Sequence, residues 1–331
     1  MQRRDFIRFV TGAAAAACAI PAHAQQRERV RRIGVLMGVP ETDSVAPQRI
    51  AAFKKGLASL GWIEGKNIEI EIVWTASDVE RTRRGAEQII GHQPDVLVAQ
   101  TLIPALELKR VTKTIPIVFT NVSDPNGAGL VDAITHPGAN VTGFSNLEPT
   151  IGAKWLELLK EVAPKVSKVS VVFNPQMSPV AQPFAAFAES MASKFQVVVK
   201  SSPVLTPAEI ETVMANAGEA QDSGLIFPPD IFTATHRKQI LGLAARLRLP
   251  AVYPYRFYTD DGGLMSYGTN AVDTFGQTAT YVDRILRGTK PEDLPVQAPT
   301  KFEFVINAKV ARTLGLTIPS KLLFTADDVI E

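Results

Sequence analysis

The residues of this chain that can do chemistry are small, polar and few, and they follow apolar runs. Pro40-Glu41-Thr42-Asp43-Ser44 comes after Ile33 to Gly38, Thr101-Leu102 after Asp95 to Ala99, and Val122-Ser123-Asp124 after Ile115 to Thr120. Later, Asn174-Pro175 follows Lys168 to Phe173, Pro228-Pro229-Asp230 follows Gly224 to Phe227, and Tyr253-Pro254-Tyr255 closes a run that begins at Ala251. Helix starts after such loops offer free N–H groups and a positive dipole end, which suit a carboxylate. Asp124 and Asp230 suit an ammonium group. Tyr253, Tyr255 and Tyr267 suit a flat apolar group, and Arg256 is the basic residue nearby that can pair with a carboxylate. The same residues have plainer uses. Asp124 before Pro125 and Asp230 after two prolines fit turns or helix caps, Thr101 fits a cap, and Tyr253 fits a core.

Signals for catalysis are weak. The glycine patterns of nucleophile elbows, phosphate loops and dinucleotide loops do not occur. His92, His136 and His236 have no Ser or Asp partner in a familiar order, and no His/Asp/Glu group has metal spacing. The single Cys18 lies in the N-terminal segment, so the rest has no disulfide and no thiol nucleophile. The expectation is no catalytic residue, no metal and no cofactor. The chain carries 35 Lys+Arg against 33 Asp+Glu. Arg3, Arg4 and Arg8 against Asp5 account for the excess, so the body is neutral, which argues against a nucleic-acid partner.

The elements that must hold these loops alternate. Apolar strand-like runs are separated by amphipathic helical stretches from Arg31 to Thr120, and the pattern starts again from Trp155 to Tyr253. Continuous apolar strands with helices between them are the signature of a doubly wound parallel sheet covered on both faces. A length of 331 residues fits about two such lobes. The stretch from Val118 to Asn146 reads as the end of one lobe and the crossing to the next. In it a strand, a polar loop and a short helix over Leu130 to Ile134 lead to a second strand ending at Ser145-Asn146. Polar groups at strand C-terminal ends beside a crossover are where open α/β sheets bind ligands.

Met1 to Ala24 reads as an export signal. Basic residues precede an apolar stretch from Phe9 to Ile20, and Ala22 and Ala24 fit a small-residue cleavage site after Ala24. Arg3-Arg4 followed by Phe6 and Ile7 is similar to a bacterial twin-arginine signal, with a general secretory signal as the alternative. The expected location is the periplasm.

Longer motifs carry a resemblance. They are Gly61 to Ile68 (GWIEGKNI), Ile115 to Phe119 (IPIVF), Ser123-Asp124-Pro125, His136 to Gly143 (HPGANVTG), Gly262 to Gly268 (GGLMSYG), Pro299 to Asn307, and Ala311 to Pro319 (ARTLGLTIP). Together they resemble the ABC transporter substrate-binding proteins related to tryptophan- and tyrosine-binding proteins, over essentially the whole mature chain. The resemblance implies a type I periplasmic-binding-protein fold of two α/β lobes joined by a hinge of three crossovers. The expected division is residues 30–145 with 269–300 for one lobe and 146–268 with 301–331 for the other. It implies a small-molecule ligand in the cleft, ABC permease subunits of the inner membrane as partners, a monomer, and no catalysis. By analogy, Thr101, Ser123 and Asp124 would hold the ligand's polar end, and Asn146, Asn174, Asp230 and Tyr255 would close over it. The expected binding set is Pro40, Glu41, Thr101, Leu102, Val122, Ser123, Asp124, Asn146, Asn174, Asp230, Tyr253, Tyr255 and Tyr267. The expected function is delivery of a carboxylate-bearing solute, an amino acid or aromatic acid, to an ABC importer. A ligand-sensing subunit for a signalling receptor and an exported α/β hydrolase are the alternatives.

Overall fold

The computed structural model describes residues 29–299 and 301–331; the expected export signal, with its twin-arginine pair, Cys18 and its expected cleavage site, lies outside them. Residues Arg31–Glu331 form one compact unit built on two sheets.

The first sheet uses β1 (Arg31–Met37), β2 (Ile68–Trp74), β3 (Val96–Gln100), β4 (Ile117–Val122) and β5 (Val141–Ser145), in the order β2-β1-β3-β4-β5. All its pairings are parallel. The connecting helices are α1 (Ala46–Ser59), α2 (Val79–Gly91) and α3 (Leu102–Val111). Strand alternation divides β1 between two layers. Ile33, Val35 and Met37 join the cluster that holds Phe53 and Leu57 of α1, whereas Leu36 joins Ala86 and Ile89 of α2. Asp78 starts α2 by accepting the Arg81 amide.

The chain then crosses to the second sheet through Asn146 and Leu147. Its elements are α4 (Ile151–Val162), β6 (Lys168–Phe173), α5 (Ala181–Ser190), α6 (Ala192–Phe195), β7 (Val198–Pro203), α7 (Pro207–Glu219), β8 (Ser223–Ile226), α8 (Ile231–Thr235), α9 (Arg237–Arg246), β9 (Ala251–Tyr253), α10 (Arg256–Asp260) and β10 (Met265–Gly268). A second crossing at Thr269-Asn270 returns the chain to the first sheet as α11 (Ala271–Leu286). That helix packs on α1, with Phe53 and Phe275 edge-to-face at 5.8 Å. A third crossing ends in β11 (Glu303–Asn307), α12 (Ala308–Thr313), α13 (Ser320–Thr325) and β12 (Asp328–Ile330). The second sheet runs β12-β11-β10-β9-β8-β6-β7. Its β11 is antiparallel to β10, because the chain re-enters from the hinge, where the parallel strands end. The α/β architecture with two parallel-sheet lobes is therefore as the sequence pattern requires, with one reversed strand added.

Other differences are local. Leu130 to Ile134 is not a helix. Its backbone is taken instead by Asn126, whose amide donates to the Val131 and Asp132 carbonyls, and by the Pro137 carbonyl, which accepts the Asp132 amide. The helical stretches after Pro183 and Ala234 are each broken in two, at Met191 and His236. None of the described helices is long and apolar enough to cross a membrane.

Candidate functional site

Strand C-terminal ends of both sheets meet around a cavity of about 60 Å³. From the first lobe come Val39 and Asp43 after β1, Arg49 on α1, Gln100 to Leu102 at the β3–α3 junction, and Asn121 and Ser123 at the end of β4. From the second come Met177 and Ser178 after β6, Pro229 to Ile231 after β8, and Tyr255 and Phe257 after β9.

Arg49 is the dominant feature. Its side chain is buried, and its Nε and Nη1 have no hydrogen-bond partner. The guanidinium lies 5.7 Å from the Phe257 ring centroid. Burial holds its pKa below the ordinary value, with Asp43 opposing. A buried cation with unmet donors is costly unless something anionic completes it. Thr101 adds strain beside it. It occupies the N-cap of α3 with φ +71°, a rare conformation for a β-branched residue, and its side chain does not cap the helix. Asn121 also has positive φ, and its buried Oδ1 has no partner.

Asp230 lines the other side. It caps α8 through the Phe232 amide at 2.8 Å and braces the β6 loop through the Asn174 amide at 2.7 Å. Burial pushes its carboxyl up to about 7, although these backbone donors favour the charged form.

The structure brings together five of the residues expected from sequence: Thr101, Leu102, Ser123, Asp230 and Tyr255 line the cavity. Asn146 stands behind them at the first crossing. Its Oδ1 accepts from Ser123 Oγ at 2.7 Å, and its Nδ2 donates to Tyr255 Oη, so one amide ties the two lobes. The others are placed elsewhere. Pro40 and Glu41 form a turn in which the Pro40 carbonyl accepts the Asp43 amide, and this turn presents Asp43 instead. Val122 points into the first-lobe core, since strand alternation turns Asn121 and Ser123 to the opposite face. Asp124 closes a turn by accepting the Gly127 amide. Asn174 shapes its loop by accepting the Gln176 and Met177 amides. Tyr253 is buried between Phe227 and Tyr258, and Tyr267 stacks on Phe302. Arg256 is engaged by Asp260, Glu303 and Asp328.

Lining residues missed include Arg49, Gln100, Asn121, Met177, Ser178 and Phe257. Arg49 had a signal: it lies one turn before Phe53 and two before Gly56, on the apolar face of α1. A charge there is buried or bound.

The lobes are closed over the cavity. Arg237 of α9 donates to Asp43 Oδ2 at 2.8 Å and to Ser44 Oγ at 2.7 Å across the cleft, and to Asp261 on its own side at 2.7 Å. Ser77 Oγ meets Thr235 Oγ1 at 2.9 Å.

Comparison with known proteins gives a consistent answer. A family profile described as ABC transporter substrate binding protein matches residues 33–330. The tyrosine-binding protein of Clostridioides difficile (strain R20291) is 25% identical over 265 residues, 80% of this chain and 75% of that protein. A solved conserved domain protein from Vibrio cholerae is 30% identical with a TM-score of 0.83, covering 91% of this chain and 100% of that one. An ABC domain in complex with L-Trp from Streptococcus pneumonia is 25% identical with a TM-score of 0.82, over 91% and 99%. The ligand-free, open structure of a substrate binding protein from Clostridium difficile is 26% identical, over 91% and 99%, but its TM-score is only 0.66. At nearly equal identity, the ligand-bound structure superposes better than the open one, in keeping with the closed cleft seen here.

Proposed function

The chain belongs to the family of ABC transporter substrate-binding proteins, and from that premise we propose that it binds a small carboxylate-bearing solute, an amino acid or aromatic acid, between its lobes. It acts in the periplasm, as a monomer and without catalysis, and delivers the solute to the permease subunits of an ABC importer. The observation that carries this reading is Arg49. A guanidinium buried in the cleft with unmet Nε and Nη1 donors is matched by a carboxylate through charge-assisted hydrogen bonds. The Trp-bound relative supports the ligand class. The N-terminus of α3 at Thr101 and Leu102 adds its dipole to the same side. Asp230, by contrast, has both oxygens occupied by backbone N–H groups, so its main work is to hold the β6 and β8 loops.

The test is isothermal titration of the purified protein against amino acids and aromatic and aliphatic acids, beside Arg49→Met. We expect binding by at least one acid and a loss of about 100-fold or more in the variant, since hydrogen bonds to charged groups contribute about 1.5–3 kcal/mol each. The variant's melting temperature without ligand should change little, because buried donors without a partner are replaced by an apolar chain of similar length. Unchanged affinity in Arg49→Met would sink the assignment.

A further inference from the structure

Resting on the reading that Arg49 receives a carboxylate, we infer that the solute is a compact aliphatic acid carrying one further hydrogen-bond donor, amino or hydroxyl, and that the cleft rejects aromatic amino acids. Three independent features of the cavity lead there.

The first is room. A volume of about 60 Å³ has room for about four water molecules. A carboxylate with a short chain of roughly two to four carbons displaces that many waters. An indole or phenol ring with its amino-acid backbone does not fit.

The second is the wall. The aromatic rings near the cleft are already stacked on one another. Tyr255 lies on Phe257 at 5.5 Å, Phe257 on Tyr258 at 4.8 Å, Tyr258 on Tyr253 at 4.8 Å, and Tyr253 on Phe227 at 5.3 Å. Phe257 in addition carries the Arg49 and Arg237 guanidinium groups at 5.7 and 5.3 Å from its centroid. The column is self-satisfied and offers Phe257 to cations rather than to a ligand ring. The rest of the apolar lining is aliphatic and includes Val39, Leu102, Met177, Val180 and Ile231, which suits an alkyl chain.

The third is the second polar contact. Asn121 sets its amide nitrogen toward the Ala271 carbonyl at 3.4 Å, which fixes Oδ1 as the free end. That oxygen is buried without a partner in the cavity lining. A buried acceptor calls for a donor. Arg49 and Asn121 together thus ask for an anionic end and a donor on one short molecule.

The experiment is titration of the purified protein with butyrate, 2-hydroxybutyrate, 2-aminobutyrate, phenylalanine, tyrosine and tryptophan. At least one substituted butyrate should bind about 10-fold or more tighter than butyrate, and about 10-fold or more tighter than the three aromatic acids. The tighter of the two names the donor. Asn121→Leu should erase the gap between butyrate and its substituted forms. Tyrosine or tryptophan equalling the short acids overturns the size limit, and butyrate equalling its substituted forms overturns the donor. If none of the six binds, the carboxylate reading beneath this inference falls as well, which separates the two failures.

Discussion

Asp230 is the residue whose charge the fold decides. Its carboxyl is pushed up to about 7 by burial, against about 3.9 in an unfolded chain. Between those values the folded protein holds a proton there that the unfolded chain has released. The folded state therefore binds more protons in this window. Its stability is fullest below about pH 4, falls as pH rises through about 7, and is level beyond. The size of the fall from this group is up to about 4 kcal/mol. Asp230→Asn removes it. The expected result is that the unfolding free energy of the native chain, minus that of the variant, declines from pH 5 to pH 8 in urea titrations. A difference independent of pH would mean that Asp230 stays ionised despite its burial. Arg49 poses the complementary case, because a guanidinium cannot release its proton to escape burial. It has to be matched by charge instead.

At the scale of elements, the helix pair α1 and α11 holds the first lobe's cleft side and carries Arg49 with it. The two approach closely because Gly56 has no side chain. A Cβ there would meet the Gly276 carbonyl oxygen at 2.7 Å and the Ala279 Cβ at 2.8 Å, neither of which is a flexible end. Gly56→Ala should therefore cost about 1–3 kcal/mol of stability and, by tilting α1, weaken ligand binding too; equal melting temperatures would contradict this close packing. This pair also shows what the sequence can and cannot disclose. The strands β1, β3 and β4 were legible because each is a continuous apolar run, buried on both faces. Asp230 was legible as a helix cap because its signal is local, and its carboxylate does accept the Phe232 amide. The partner of Arg49 was not, since Phe257 arrives from the other lobe some two hundred positions later. The tyrosines misled for a related reason. Residue type announces an aromatic face, but only the packing of α10 against β9 shows that Tyr253 is already taken by Phe227 and Tyr258. Val122 was misplaced by one register position, which in a strand reverses the face.

For the whole molecule, the question is what closes the lobes. The closed form holds Arg49 buried with Nε and Nη1 unmet, which is unfavourable, and joins Arg237 to Asp43 and Ser44, which is favourable. Ser77 and Thr235 add a contact between the same two lobes. Under the proposed function, a carboxylate on Arg49 would cancel the penalty and leave the Arg237 latch to hold the closed form, so that the ligand would shift the equilibrium by its differential affinity for the two states. Arg237→Ala separates the two parts. The Arg49 contact with ligand survives, but the ion pair across the cleft is gone. Small-angle scattering with and without a saturating amount of the tightest acid should show compaction on binding in the native chain and little or none in the variant. Affinity should drop by about 10-fold or more, since breaking a buried pair is strongly unfavourable. Because the latch forms only on closure, the loss should appear as faster dissociation with little change in association rate. If the variant compacts as fully as the native chain, closure is driven from the ligand alone, and Arg237 serves only to order α9 and the Asp261 turn.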